Sequence, residues 1–191
     1  MLPKRVSDSR FGFYVWLLQV MIVIGLTSVV IWLCLHPKTP NYTVVGFYVP
    51  GLDGQNSAGN VHRNTTLILK LRISNPNKGM GIYYDDNNVA LYYGNDNIGV
   101  SSILGFYQGH KKTTQREVSV NGVEQFWRAV FRVVSNGTVD LRVSLVSGFR
   151  YKIFWWKTRH HRLDLQALVP VALDGKTFDE MNIKLRPTAK K

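Results

Sequence analysis

Cysteine is almost missing from this sequence. Its 191 residues hold one, Cys34, and that one lies inside an apolar run near the N-terminus. An intramolecular disulfide and a thiolate zinc site are therefore both excluded. Any folded domain must rest on its core alone. Acidic side chains are also scarce: 12 Asp and Glu stand against 24 Lys and Arg, a net charge of +12. Taking away the first 35 residues removes Lys4, Arg5, Arg10 and Asp8 and leaves 21 basic and 11 acidic side chains, still +10. The excess belongs to the body of the chain, and such a field draws polyanions: nucleic acid, acidic polysaccharide or anionic lipid. No nucleophile elbow, phosphate loop, zinc-protease motif or dinucleotide fingerprint occurs. The expectation is a protein without enzymatic activity, cofactor or bound metal.

What is present begins with a membrane segment. Phe11 to Leu35 is free of charge, and Gln19 is its one strongly polar side chain. About 20 apolar residues cross a bilayer core, whereas a signal-peptide core holds about 7–15. No small-x-small cleavage site follows, so an uncleaved signal-anchor helix over 11–35 is expected. Tyr14 and Trp16 near one end and Trp32 near the other suit the interfacial belts. Lys4, Arg5 and Arg10 precede the helix and only Lys38 closely follows it. The positive-inside rule then places residues 1–10 in the cytosol and the rest outside. Three sequons, at Asn41, Asn64 and Asn136, all follow the helix and make these asparagines N-glycosylation candidates.

After a Pro-containing linker, 36–41, β signals dominate from 42 to 186, and a basic tail, 187–191, ends the chain. Tyr42–Val49 closes at Pro50-Gly51, and a polar loop runs to about residue 62. In Thr66–Ser74, Leu67, Leu69, Leu71 and Ile73 alternate with Lys70 and Arg72, and Asn75-Pro76-Asn77 stops the run. Ile82–Tyr84 and Val89–Tyr93 read as short strands split by Asp85 to Asn88, with a turn at Asn95-Asp96-Asn97. Glu117–Val120 reads as a strand ending at Asn121-Gly122. Val123, Phe126, Trp127, Val130, Phe131 and Val134 recur at helical spacing. Alternation resumes at Val139 to Leu145, at Phe149 to Trp155 and at Leu163 to Val171. About seven or eight short-linked strands imply an antiparallel sandwich with one helix. Its inward residues include Leu69, Leu71, Val143, Leu145 and Ile153.

Three blocks carry a family resemblance: Asn75-Pro76-Asn77-Lys78, Gly81-Ile82-Tyr83-Tyr84-Asp85-Asp86 and Phe106-Tyr107-Gln108-Gly109-His110-Lys111-Lys112. Phe154 to Arg159 and Gly25 to Ser28 add to them. The chain resembles the plant Non-race-specific Disease Resistance and harpin-induced-like family, whose outer domain is of the group-2 late embryogenesis abundant class. The resemblance implies a fibronectin-III-like sandwich with one helix, a plasma-membrane location and a role in defence signalling. It departs at the C-terminus, where Leu185 to Lys191 has no hydrophobic run of the kind that directs a lipid anchor.

Two basic runs remain. One is His110, Lys111, Lys112 and Arg116. The other is Arg150, Lys152, Lys157, Arg159 and Arg162, interleaved with Tyr151, Phe154, Trp155 and Trp156. Basic charge with aromatics also marks nucleic-acid binders, but an exoplasmic domain never meets nucleic acid. The second run is a candidate patch for an acidic wall polysaccharide or for anionic head groups. A solvated, lysine-guarded edge strand is the plainer alternative. Asp85, Asp86 and Asp96 are hard oxygen donors for calcium, though Asp and Asn are also ordinary turn residues. His110 is a candidate base without an evident partner, and His160 and His161 read as surface charge. The leading expectation is a membrane protein of defence signalling that links the membrane to the wall or to a partner. Its short N-terminal tail would face a cytosolic immune partner. The alternative is a lipid- or small-ligand-binding module of the stress response.

Overall fold

The computed structural model describes residues 8–34, 36–48, 66–122, 139–171 and 182–188. The chain divides into two compact units, Met1–Pro37 and Lys38–Lys191. In the first, α1 (Asp8–Cys34) is a continuous helix of 27 residues, about 40 Å long at 1.5 Å per residue. Its Arg10–Trp32 segment is long and apolar enough to cross a membrane. The Thr27 hydroxyl donates to the Val23 carbonyl at 2.8 Å and the Ser28 hydroxyl to the Ile24 carbonyl at 2.8 Å. These polar groups are thus satisfied within the helix, as a lipid surrounding requires.

The second unit is built of antiparallel strands. In chain order they are β1 (Asn41–Tyr48), β2 (Thr66–Ser74), β3 (Gly81–Tyr84), β4 (Asn87–Tyr93), β5 (Asp96–Ile103) and β6 (Phe106–Gln108). β7 (Thr113–Asn121), β8 (Val139–Ile153), β9 (Trp156–Lys157), β10 (His161–Val171), β11 (Ile183–Lys184) and β12 (Arg186–Pro187) follow. One sheet has the order β11-β1-β2-β7. The other has the order β12-β10-β8-β3-β6, and its β8 also pairs with β4 and β9 while β4 pairs with β5. The long strand β8 organises the larger sheet. Along one side it meets β4 through Arg142–Val146 and then β3 through Phe149–Lys152. Along the other it meets β10 and then β9.

The alternation that defines these strands also fills the core. Leu67, Leu69, Leu71 and Ile73 of β2 face Leu141, Val143, Leu145 and Phe149 of β8 across one buried cluster. Each such side chain contributes about 1.5–3 kcal/mol on full burial. Ile153 is partly buried and packs at the margin. Polar bridges fix how the sheets meet. The hydroxyls of Tyr42 (β1) and Ser147 (β8) lie 2.5 Å apart, and Gln108 Nε2 (β6) donates to the Ile73 carbonyl (β2) at 3.0 Å. Burial pushes the phenols of Tyr42, Tyr84 and Tyr151 above their ordinary range.

Several local expectations change. β5 and β6 were not legible as strands, and β7 begins four residues before Glu117. Only Asp85 and Asp86 separate β3 from β4; Asn87 and Asn88 are already strand residues. The β4–β5 turn is Gly94-Asn95 rather than Asn95 to Asn97, because Gly94 takes φ 60° without a Cβ clash. The alternation through β8 ends at Ile153, and Trp155 lies in a turn instead of the core. The helix expected over 123–134 lies outside the described residues.

A basic, tyrosine-backed face as the candidate functional site

Odd-numbered residues of β8 point inward, so Arg150 and Lys152 share its outer face. β9 turns back and sets Lys157 directly opposite Lys152. Two like charges in that register repel, and two tyrosine rings offset the repulsion. Tyr83 and Tyr107 are cross-strand partners on β3 and β6 with ring centroids 4.6 Å apart. Lys157 Nζ lies 4.4 Å from the Tyr83 centroid, and Lys152 Nζ lies 5.3 Å from that of Tyr107. An exposed cation over a ring gains about 0.5–1 kcal/mol. Tyr107 reaches this place because Gly81 has no side chain: a Cβ there would meet ring atoms at 2.7 Å. Arg150 stands opposite Tyr83. Among the described residues no carboxylate pairs with Arg150, Lys152 or Lys157.

The other two members of the run are placed differently. Arg162 is on the same sheet, opposite Gly148, but its Nε bonds Asp164 Oδ1 at 3.1 Å. Arg159 is exposed in the connection from β9 to β10. The histidines also separate. His160 Nε2 lies 2.7 Å from Asp85 Oδ2, so it is a pairing residue rather than loose surface charge. The pair crosses Gly148, where a Cβ would come within 3 Å of both partners. His161 stacks on Phe149, centroids 5.6 Å apart.

The motif residues form a buried polar hub at the end of the sandwich where the chain enters. Asn75 Nδ2 donates to the carbonyls of Met80 (2.8 Å) and Gly109 (3.1 Å), and its Oδ1 accepts from the Asn77 N–H and side chain. Asn77 Oδ1 accepts from the Lys38 N–H at 2.7 Å, while its Nδ2 donates to the Lys38 carbonyl at 2.8 Å. Pro76 bridges them, half-buried. Tyr84 donates to Gln108 Oε1 at 2.9 Å and stacks on Phe106. These blocks therefore hold three loops together. Lys38 and Tyr151, whose hydroxyl also donates to the Lys38 carbonyl at 3.2 Å, complete the hub, and nothing in the sequence marked them for it.

His110 is exposed in the β6–β7 turn and has no partner among the described residues. Asp86 Oδ1 accepts from the Gly105 N–H at 2.7 Å, and Asp96 lies at the far end of the β4–β5 hairpin. Among the described residues no three His, Cys, Asp or Glu side chains are grouped to hold a metal. Asn41 opens β1, half-buried and opposite Ser74. Asn64 and Asn136 lie outside the described residues.

Comparison with known proteins places these features. Residues 70–167 match the LEA_2 family, described as late embryogenesis abundant protein. The chain is 34% identical over 174 residues to Protein NDR1 of Arabidopsis thaliana, covering 85% of this chain and 76% of that one. It is 29% identical over 148 residues to NDR1/HIN1-like protein 26 of Arabidopsis thaliana, covering 74% and 69%. A third Arabidopsis thaliana protein, NDR1/HIN1-like protein 3, is 37% identical over 101 residues, covering 51% and 42%.

Proposed function

The chain belongs to the late embryogenesis abundant (LEA_2) family, with NDR1/HIN1-like relatives, and we propose that it is a single-pass plasma-membrane protein of plant defence without enzymatic activity. The N-terminal tail is cytosolic and available to an immune partner, while the β domain lies outside and links the membrane to the wall. Lys4, Arg5 and Arg10 before α1 support this orientation. The domain acts as a binding module for a polyanion such as de-esterified wall pectin.

One observation carries the binding role. Arg150, Lys152 and Lys157 share one outer face, Tyr83 and Tyr107 hold the two lysines in place, and none of the three pairs with a carboxylate among the described residues. Fixed cations recognise a row of uronate carboxylates without first losing side-chain entropy. The test is binding of the full-length protein to de-esterified pectin across a salt series. A mainly electrostatic contact weakens as salt shortens the Debye length, about 8 Å at physiological strength. Replacing Arg150, Lys152 and Lys157 together by Gln should abolish binding and leave the fold intact, since exposed charges add little stability. Arg162→Gln should leave binding nearly unchanged, because Arg162 already faces Asp164. Binding that ignores salt, or survives the triple substitution, refutes the assignment.

A further inference from the structure

Three adjacent aromatic residues protrude from the domain. Phe154, Trp155 and Trp156 are 78%, 82% and 69% exposed. They form the tip of the β8–β9 hairpin, where Ile153 pairs with Trp156 and Phe154-Trp155 is a two-residue turn. Phe154 has φ 52°. Two-residue hairpin turns favour Gly, Asn or Asp where φ is positive, and a bulky side chain there is strained. A glycine would relieve the strain and remove exposed apolar surface together. Neither folding nor solubility favours phenylalanine at this position, so the ring points to a contact outside the domain.

The position of the tip says what that contact is. Tyr151, three residues before Phe154 in the chain, bonds the Lys38 carbonyl. Lys38 follows the last residue of α1, Cys34, by four residues, and four residues reach at most about 14 Å. The same end of the sandwich carries the β6–β7 turn, where the Lys111 N–H donates to the Asn77 carbonyl and the Asn75 N–H to that of Lys112. Lys78, Lys111 and Lys112 are exposed there. Tryptophan and phenylalanine with a collar of lysines is the chemistry of the head-group boundary of a bilayer: rings among the upper acyl carbons, ammonium groups on the phosphates.

We propose that Phe154, Trp155 and Trp156 insert into the head-group region of the membrane that α1 spans, so that the domain docks by its hairpin tip. This rests on α1 spanning the bilayer. A tether of four residues makes the contact intramolecular, so an affinity too weak for a free domain is enough.

The test uses the full-length chain carrying Cys34→Ser, with either Trp155→Cys or Asn95→Cys labelled by nitrobenzoxadiazole. It is reconstituted in phosphatidylcholine vesicles with and without phosphatidylglycerol. The label at 155 should emit to the blue and be quenched by lipids brominated high on the acyl chain. The label at 95, in the β4–β5 turn at the other end of β8, should do neither. Adding Phe154→Gly and Trp156→Ser should abolish the quenching at 155, while Phe154→Gly alone leaves the melting temperature unchanged or higher. A label at 155 that stays unshifted and unquenched in a chain that resists carbonate extraction overturns the docking and leaves the anchor standing. Release of the chain by carbonate overturns both. A blue shift that follows polygalacturonate and not brominated lipid assigns the tip to a saccharide and likewise overturns the proposal.

Discussion

The side chain of Asn77 closes a pair of hydrogen bonds on the backbone of Lys38, accepting from its N–H at 2.7 Å and donating to its carbonyl at 2.8 Å. Asn77 is 3% exposed, so water cannot replace these bonds in a variant. Asn77→Ala should lower stability by about 2–4 kcal/mol, the range for several buried polar groups left unmatched. It should also speed hydrogen exchange at the Lys38 amide. Asn77→Asp keeps the acceptor but turns the former donor toward the carbonyl of Lys38 and Oδ1 of Asn75; it should be at least as damaging. Denaturant unfolding measures both. A loss below about 1 kcal/mol for Asn77→Ala would contradict the hub.

Gly81 and Tyr107 test the basic face from beneath. Gly81→Ala puts a methyl group within 3 Å of the Tyr107 ring. The ring must move and Lys152 loses its support. We expect a loss of about 1–3 kcal/mol, as for other overpacked sites, with weaker polyanion binding. Combining Gly81→Ala with Tyr107→Ala removes the clash and should recover stability without recovering binding. Recovery of both would show that the tyrosine does not position the lysine.

Asn87 is fully buried in β4, and neither its Nδ2 nor its Oδ1 has a partner among the described residues. A buried amide without hydrogen bonds costs about 1–3 kcal/mol. Asn87→Leu, close in size, should raise the melting temperature. A fall would mean that the amide is satisfied by a group that the leucine displaces.

The buried tyrosines set an alkaline limit. Tyr42, Tyr84 and Tyr151 are all held above the ordinary phenol value of 10.0, chiefly by burial. The folded state keeps these protons more tightly than the unfolded one. Stability is therefore fully present below pH 10.0 and falls as pH rises from there toward the raised folded values. Tyr42→Phe leaves Ser147 without its partner and should lower stability at neutral pH while making its loss at high pH shallower. Denaturant titrations at neutral and alkaline pH, with tyrosinate absorbance as the second signal, check the sign.

Sequence alone determined the elements whose surroundings are uniform. The Phe11–Leu35 run is apolar on every side and needs no partner from the rest of the chain, and α1 covers nearly the same residues. β2 runs from Thr66 to Ser74 as its alternation requires, because a period of two facing one core leaves a single register open. The family, too, was legible, in the blocks around Asn75, Tyr83 and Gln108. The tertiary structure decided what depends on partners distant in the chain. β6 is only three residues long and β5 has no sustained alternation, and both exist as strands because β3 and β4 offer them ladders. The five basic residues from Arg150 to Arg162 look equivalent in sequence. Only strand pairing separates Lys152 and Lys157, set opposite each other over two tyrosines, from Arg162, which Asp164 engages on its own strand. Charge and composition are properties of a residue and can be read one position at a time. The field that a ligand meets depends on which charges are neutralised, and that depends on contacts closed by the whole fold.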